Sequence, residues 1–210
     1  TRRGLPFVRY ADDSMIFCKS KRAAKRVKES VTRFIEGKLH LKVNRDKTVV
    51  SYVKGVKYLG YSFYVMKGKC QLTVHPKAKS KMKAKLKELT SRSNGWGYAK
   101  RKQKLEEYIR GWVGYYHLAN LKRFLMKTDE WLRRRLRMCI WKSWKRVKTR
   151  IANLVKCGID KYQAYMWGNS RLGYWRIAGS YILSRAITNE KLSMAGYATL
   201  MGSYIEWHPK

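Results

Sequence analysis

The hydrophobic pattern of this chain changes period at Pro76, and that change fixes the class of fold open to it. Before Pro76, short apolar runs broken by Gly and Asn read as strands around a single helix. Apolar and aromatic residues on both sides of Asp12-Asp13 read as two strands joined by a tight four-residue turn. Ser20 caps a helix running to about Glu36, with Ala24, Val27, Val31, Phe34 and Ile35 at helical spacing and Gly37 as its stop. Leu39 to Val43, Thr48 to Val53, Tyr58 to Val65 and Cys70 to Val74 then read as strands. After Pro76 the chain reads as helix throughout. A basic helix is broken by Ser91 to Gly97, and the next helix carries Leu105, Tyr108, Ile109, Trp112, Val113 and Tyr116 as one stripe that reads as core. Asp129 opens a further helix with Leu132, Leu136, Cys139, Ile140 and Val147 on one side and Arg134, Arg137, Trp141, Lys145 and Lys148 on the other. Short helices are expected near Asp160 to Trp167, Ser180 to Ile187 and Asn189 to Ala195. The whole is α+β: antiparallel strands with one helix, followed by an all-α region.

Charge narrows the partner. The chain carries 49 Lys+Arg against 13 Asp+Glu, a net charge of +36, so a polyanion is the expected ligand. Eleven basic residues face one acid between Lys77 and Lys104, and ten face none between Trp131 and Ile159. With 45% hydrophobic residues the chain is too apolar to be a disordered polycation. No apolar run reaches the roughly 20 residues that span a bilayer, and no membrane partner is expected. Cys18, Cys70, Cys139 and Cys157 form no CxxC pair and share no ligand spacing with His40, His75, His117 or His208, so neither a zinc centre nor a disulfide framework is expected. The first residues lack an initiator Met and a signal peptide, which reads as a piece of a longer chain.

In so basic a chain, adjacent acids stand out. An Asp-Asp pair in a turn is ordinarily solvent-facing turn chemistry. Asp12 and Asp13 sit instead between apolar strands in Phe7-Val8-Arg9-Tyr10-Ala11-Asp12-Asp13-Ser14-Met15-Ile16-Phe17, where two carboxylates fit a hard divalent cation and point to Mg2+-dependent phosphoryl transfer on nucleic acid. In the helical region, cations interleaved with Trp and Tyr suit phosphates and unpaired bases together. The plainer alternative is that the aromatics are core and the charges a solvated face; that alternative is favoured for Trp112 and Tyr116, while Trp141 stands even between RNA contact and packing.

Tyr10-Ala11-Asp12-Asp13 resembles the active-site hairpin of reverse transcriptases. The resemblance makes Asp12 a ligand shared by two Mg2+ ions, Asp13 a weaker ligand, and Tyr10 and Ala11 neighbours of primer end and nucleotide. Leu41-Lys42-Val43-Asn44-Arg45-Asp46-Lys47-Thr48 resembles the family's next block and places Lys47 near the leaving phosphates. Lys57-Tyr58-Leu59-Gly60-Tyr61-Ser62-Phe63 resembles the primer grip, which implies primer contacts at Tyr58, Leu59, Gly60 and Tyr61. Farther on, Tyr108-Ile109-Arg110-Gly111-Trp112-Val113-Gly114-Tyr115-Tyr116, Asp129-Glu130-Trp131-Leu132-Arg133-Arg134-Arg135-Leu136-Arg137, Ile140-Trp141-Lys142-Ser143-Trp144-Lys145-Arg146 and Trp167-Gly168-Asn169-Ser170-Arg171-Leu172-Gly173-Tyr174-Trp175-Arg176 closely resemble the thumb and maturase region of group II intron-encoded proteins, most of all the bacterial class that lacks an endonuclease. Val147 stands where that pattern leads one to expect a proline.

The resemblance implies the second half of a reverse-transcriptase palm at residues 1–75, a helical thumb at 76–127 and a maturase domain at 128–210. Its implied partners are group II intron RNA, a DNA primer with an RNA template, dNTPs, and an upstream half of the same protein carrying the rest of the palm and the fingers. Its implied place is the bacterial cytoplasm. RNA contacts are expected from Lys81, Lys85, Arg101, Arg110, Arg133, Arg134, Arg137, Trp141, Lys142, Lys145, Arg146, Lys148, Arg150 and Arg171. No acid precedes Asp12, so the two-metal Mg2+ site is incomplete within this sequence and the piece alone is expected to be inactive as an RNA-directed DNA polymerase. The competing expectation is a non-enzymatic RNA-binding splicing factor whose remnant palm only scaffolds the helices.

Overall fold

A computed structural model describes residues 4–208, which divide into two compact units at His75 and Pro76. The first unit holds two small antiparallel sheets. Strands β1 (Phe7–Tyr10) and β2 (Asp13–Ile16) pair with Tyr10 opposite Asp13, so the turn is two residues rather than four: Ala11 and Asp12. Ala11 takes a positive φ of 51°, as the first central position of a tight hairpin turn demands, and Arg9 Nε donates to its carbonyl at 2.9 Å. Helix α1 (Lys21–Lys38) starts where expected, with the Ser20 side chain accepting from the Ala23 N–H at 3.2 Å, but runs through Gly37. Gly37 costs a helix about 1 kcal/mol relative to Ala, too little to stop it.

Strands β3 (Lys57–Tyr58), β4 (Tyr61–Met66) and β5 (Lys69–Val74) form the second sheet in that order. Both of its turns, Leu59-Gly60 and Lys67-Gly68, place two successive residues at positive φ, the backbone twist that joins adjacent strands in two residues. The strands expected over 39–43 and 48–53 are absent. Those segments are irregular apart from a 3-10 turn at Val53–Gly55, because among the described residues no neighbouring strand offers them a ladder. Within residues 4–75 only Val74 is buried.

The second unit is helical: α2 (Pro76–Leu89), α3 (Tyr98–Tyr116), α4 (Lys122–Ser143), α5 (Val147–Lys156), α6 (Lys161–Gly168), α7 (Tyr174–Ala178), α8 (Tyr181–Ala186), α9 (Asn189–Met194) and α10 (Leu200–Glu206). The α3 stripe is inward, with Leu105, Ile109, Val113 and Tyr116 buried and Tyr108 and Trp112 half-buried. Central α4 buries Leu125, Leu132, Leu136 and Trp141 against its neighbours. It also carries two buried charges that close other helices. Asp129 does not open a helix: it lies inside α4, 2% exposed, and its two carboxylate oxygens accept from the Leu200 and Met201 N–H groups at 2.8 Å each. With the Thr199 hydroxyl accepting from Gly202 N–H, the first turn of α10 has its orphan donors satisfied. Arg135 does the converse at the end of α2, donating to the Lys87 and Thr90 carbonyls and to the Thr90 hydroxyl. Each charge matches the helix dipole it meets. The expected thumb–maturase border between residues 127 and 128 falls inside continuous α4.

Candidate nucleic-acid interface and carboxylate hairpin

The β1–β2 hairpin leaves Tyr10, Ala11, Asp12 and Asp13 all exposed. Asp12 occupies the turn and Asp13 the first position of β2, and neither carboxylate makes a hydrogen bond or ion pair among the described residues. Two unengaged hard oxygen donors suit Mg2+, which takes one or two carboxylates and completes its shell with water and substrate phosphates. Among the described residues, no three His, Cys, Asp or Glu side chains are grouped to hold a metal. The hairpin therefore offers two donors of such a site.

Lys47 is exposed, in a turn set by Asn44, whose side-chain oxygen accepts from the Lys47 N–H at 3.1 Å while its carbonyl accepts from Thr48. Tyr58 and Tyr61 face one another across the Leu59-Gly60 turn, and the Gly60 carbonyl accepts from His75 N–H. The Tyr58 hydroxyl is buried without a hydrogen bond.

In the helical unit the fourteen expected RNA contacts separate. Trp141 is 2% exposed and packs against Trp144, so it is a core residue rather than an RNA contact. The reading that put it outward treated α4 as continuing past Ser143; the helix ends there, and Lys145 and Lys148 do not share its face. Arg101 is 5% exposed and donates to the Ser91 carbonyl and the Asn94 side chain, which takes it out of the accessible surface. Arg150 donates to the Trp144 carbonyl and lies over the Trp141 ring. Arg137 donates to the Ile187 carbonyl at 2.8 Å and to Asn189, and burial pulls its pKa down, with the nearby Arg133 charge adding to the effect. Arg134 is bonded to the Trp175 carbonyl. Lys85 pairs with Glu88 at 2.6 Å, an exposed pair of small energetic value.

The others stay available. Lys81, Arg110, Lys142, Lys145, Arg146, Lys148 and Arg171 are exposed, and among the described residues their side chains make no hydrogen bond or ion pair. Arg133 is half-buried and likewise unbonded; it lines an open groove of about 350 Å³ with Glu130, Arg137, Ser184, Thr188, Asn189 and Glu190.

Two family models match. One, described as reverse transcriptase (RNA-dependent DNA polymerase), covers residues 1–63; the other, described as group II intron, maturase-specific domain, covers residues 79–158. The chain belongs to the group II intron reverse transcriptase/maturases. No curated protein matches it significantly. In maturase terms, the reverse-transcriptase match ends inside β4, after the carboxylate hairpin, α1 and the Lys47 turn, and the maturase-specific match spans most of α2 and all of α3, α4 and α5. Reverse transcription and intron splicing and mobility are the functions of this family, and its maturase domain binds group II intron RNA. Sequence reasoning missed Arg92, Tyr174 and Trp175, which lie together on the helical unit. Their signal, two adjacent aromatics among basic residues, was present but indistinguishable from core.

Proposed function

We propose that the helical unit grips its intron RNA through the cations that its own packing leaves unpaired, and that Asp12 and Asp13 are part of the Mg2+ site of RNA-directed DNA synthesis, completed by acidic ligands from outside this sequence. The observation that carries the first half is the split among basic residues: buried or bonded arginines build the fold, while seven exposed side chains have no partner among the described residues. Unpaired surface cations neutralise phosphates and release counterions, which gives affinity without reading sequence. The second half is supported by two unengaged carboxylates at a hairpin tip together with the reverse-transcriptase match over residues 1–63.

Bound there, Mg2+ would stabilise charge on the attacking 3′ oxygen and the departing phosphates of a dNTP. Asp12 and Asp13 would hold it, Lys47 would sit near the leaving phosphates, and the Tyr58–Tyr61 hairpin would support the primer on its RNA template. A bacterial cytoplasm is the compartment this reading implies. In the protein that supplies the remaining ligands, Asp12→Asn should lower primer extension by at least about 100-fold while intron-RNA affinity stays within twofold. Undiminished extension would remove the metal-ligand role. A second reading, an RNA-binding splicing factor without polymerase activity, is favoured by one feature: nearly all the described core lies in the helical unit. Splicing assistance by the 210-residue chain that is indifferent to Asp12→Asn and Asp13→Asn would support it.

A further inference from the structure

Three segments of the helical unit meet at one aromatic surface. The α2–α3 loop brings Arg92, whose guanidinium lies 4.7 Å from the centre of the Tyr174 ring. The end of α4 brings Lys142, whose ammonium lies 5.1 Å from the same ring. The start of α3 is tied to the end of α4 by a hydrogen bond between the Tyr98 and Ser143 hydroxyls, which keeps loop and helix end in register. Both cations are exposed, and among the described residues neither side chain makes a hydrogen bond or ion pair. Held on one ring, they lie closer together than the ~10 Å screening length at 0.1 M salt and repel each other. An anion between them would relieve that repulsion.

Next along α7 is Trp175, 40% exposed. Arg134 covers part of its ring at 4.1 Å from the centre, and the same guanidinium donates twice to the Trp175 carbonyl, at 2.9 and 3.3 Å. Gly179 makes room for this clamp, because a Cβ there would lie 2.6 Å from the Arg134 guanidinium carbon. Arg134 is thus a positioning residue. It fixes an indole whose remaining surface faces solvent, and a ring already held in place loses little freedom when something stacks on it.

We propose that Arg92, Lys142, Tyr174 and Trp175 form a binding site for one unpaired nucleotide of RNA, its phosphate taken by the two cations and its base stacked on Trp175. This rests on the RNA-binding reading above and adds to it a specific element: single-stranded RNA rather than duplex. A paired base has both faces covered by its neighbours and cannot use an indole platform, whereas a loop or bulge base can.

The test uses the full chain and fluorescence anisotropy with an unstructured 12-nucleotide RNA and the same sequence annealed to its complement. Trp175→Leu should weaken single-strand binding about 5- to 150-fold and leave duplex binding within twofold, and Trp175→Phe should recover most of the loss. Arg92→Gln with Lys142→Gln should flatten the dependence of log K on log salt for the single strand by about 1.4, near 0.7 per lost phosphate contact. Equal losses on single strand and duplex, no loss on either, or no recovery with Phe would overturn the site while leaving general RNA binding intact. A parent chain that binds neither RNA would overturn the RNA-binding reading and this site with it.

Discussion

Replacing Asp129 by Ala tests whether a charge inside α4 holds the last helix in place. In the native structure each carboxylate oxygen accepts one N–H from the first turn of α10 at 2.8 Å. Leu200 is wholly buried, so its N–H has no water to turn to once the acceptor is gone, a loss of about 1–3 kcal/mol. Met201 is half-buried and can recover a hydrogen bond from solvent at smaller cost. Losing an anion at a helix N-terminus adds about 0.3–2 kcal/mol, and removing a carboxylate that burial makes expensive to ionise offsets part of the total. The net expectation is a loss of about 2–4 kcal/mol for Asp129→Ala and roughly half of that for Asp129→Asn, whose carbonyl can still accept one of the two bonds. Urea unfolding followed by helix circular dichroism reads both. A loss below about 0.5 kcal/mol for the Ala variant would refute the claim that this carboxylate satisfies α10. The same pair of proteins gives a pH test. Burial pushes the Asp129 carboxyl above the usual range, against the opposing pull of the Met201 and Leu200 N–H groups and the Arg133 charge. The folded state then keeps a proton at pH values where the unfolded chain has already lost it. This group's contribution therefore falls as pH rises from the unfolded Asp pKa through the raised folded one. The stability advantage of the parent over Asp129→Asn should shrink across that window, and an advantage that grows would contradict the cause assigned to the shift.

Two further substitutions probe the helical unit. Val147 occupies the first position of α5, its N–H makes no hydrogen bond among the described residues, and Arg146 before it is extended (φ −93°, ψ 146°). Val147→Pro should therefore be neutral or stabilise by up to about 1 kcal/mol in urea unfolding, and a loss beyond about 1 kcal/mol would show that this turn differs from the one described. Gly168, at the end of α6, sits where a Cβ would lie 2.5 Å from Ile151 Cγ1 on α5. Gly168→Ala should destabilise by about 1–2 kcal/mol and cost less in an Ile151→Ala background; equal costs in both backgrounds would exclude that contact as the cause.

What the sequence made legible follows from the range of the interactions involved. Ser20, the two-residue turns and the α3 stripe are local, and their residues announce them. The run Trp131 to Arg137 is different. Read along α4 it is a basic block, yet of its four arginines Arg135 closes α2, Arg134 clamps Trp175, Arg137 binds the Ile187 carbonyl, and only Arg133 is left unbonded. Their acceptors are backbone carbonyls 41 to 50 residues away, several at the ends of helices of five or six residues that carry too little periodicity to be located from sequence. The division between structural and available cations then has a chemical basis. Arginine presents a weakly hydrated, planar fork that can serve two carbonyls from inside a protein, whereas the compact ammonium of lysine holds its water and stays outside. All five expected lysines are exposed here, while Arg101, Arg134, Arg137 and Arg150 are bound within the fold. A net charge of +36 therefore overstates the surface offered to RNA. The phosphate contacts that set its salt dependence should be sought first among the exposed lysines and the few arginines, Arg92, Arg110, Arg146 and Arg171, that no carbonyl has claimed.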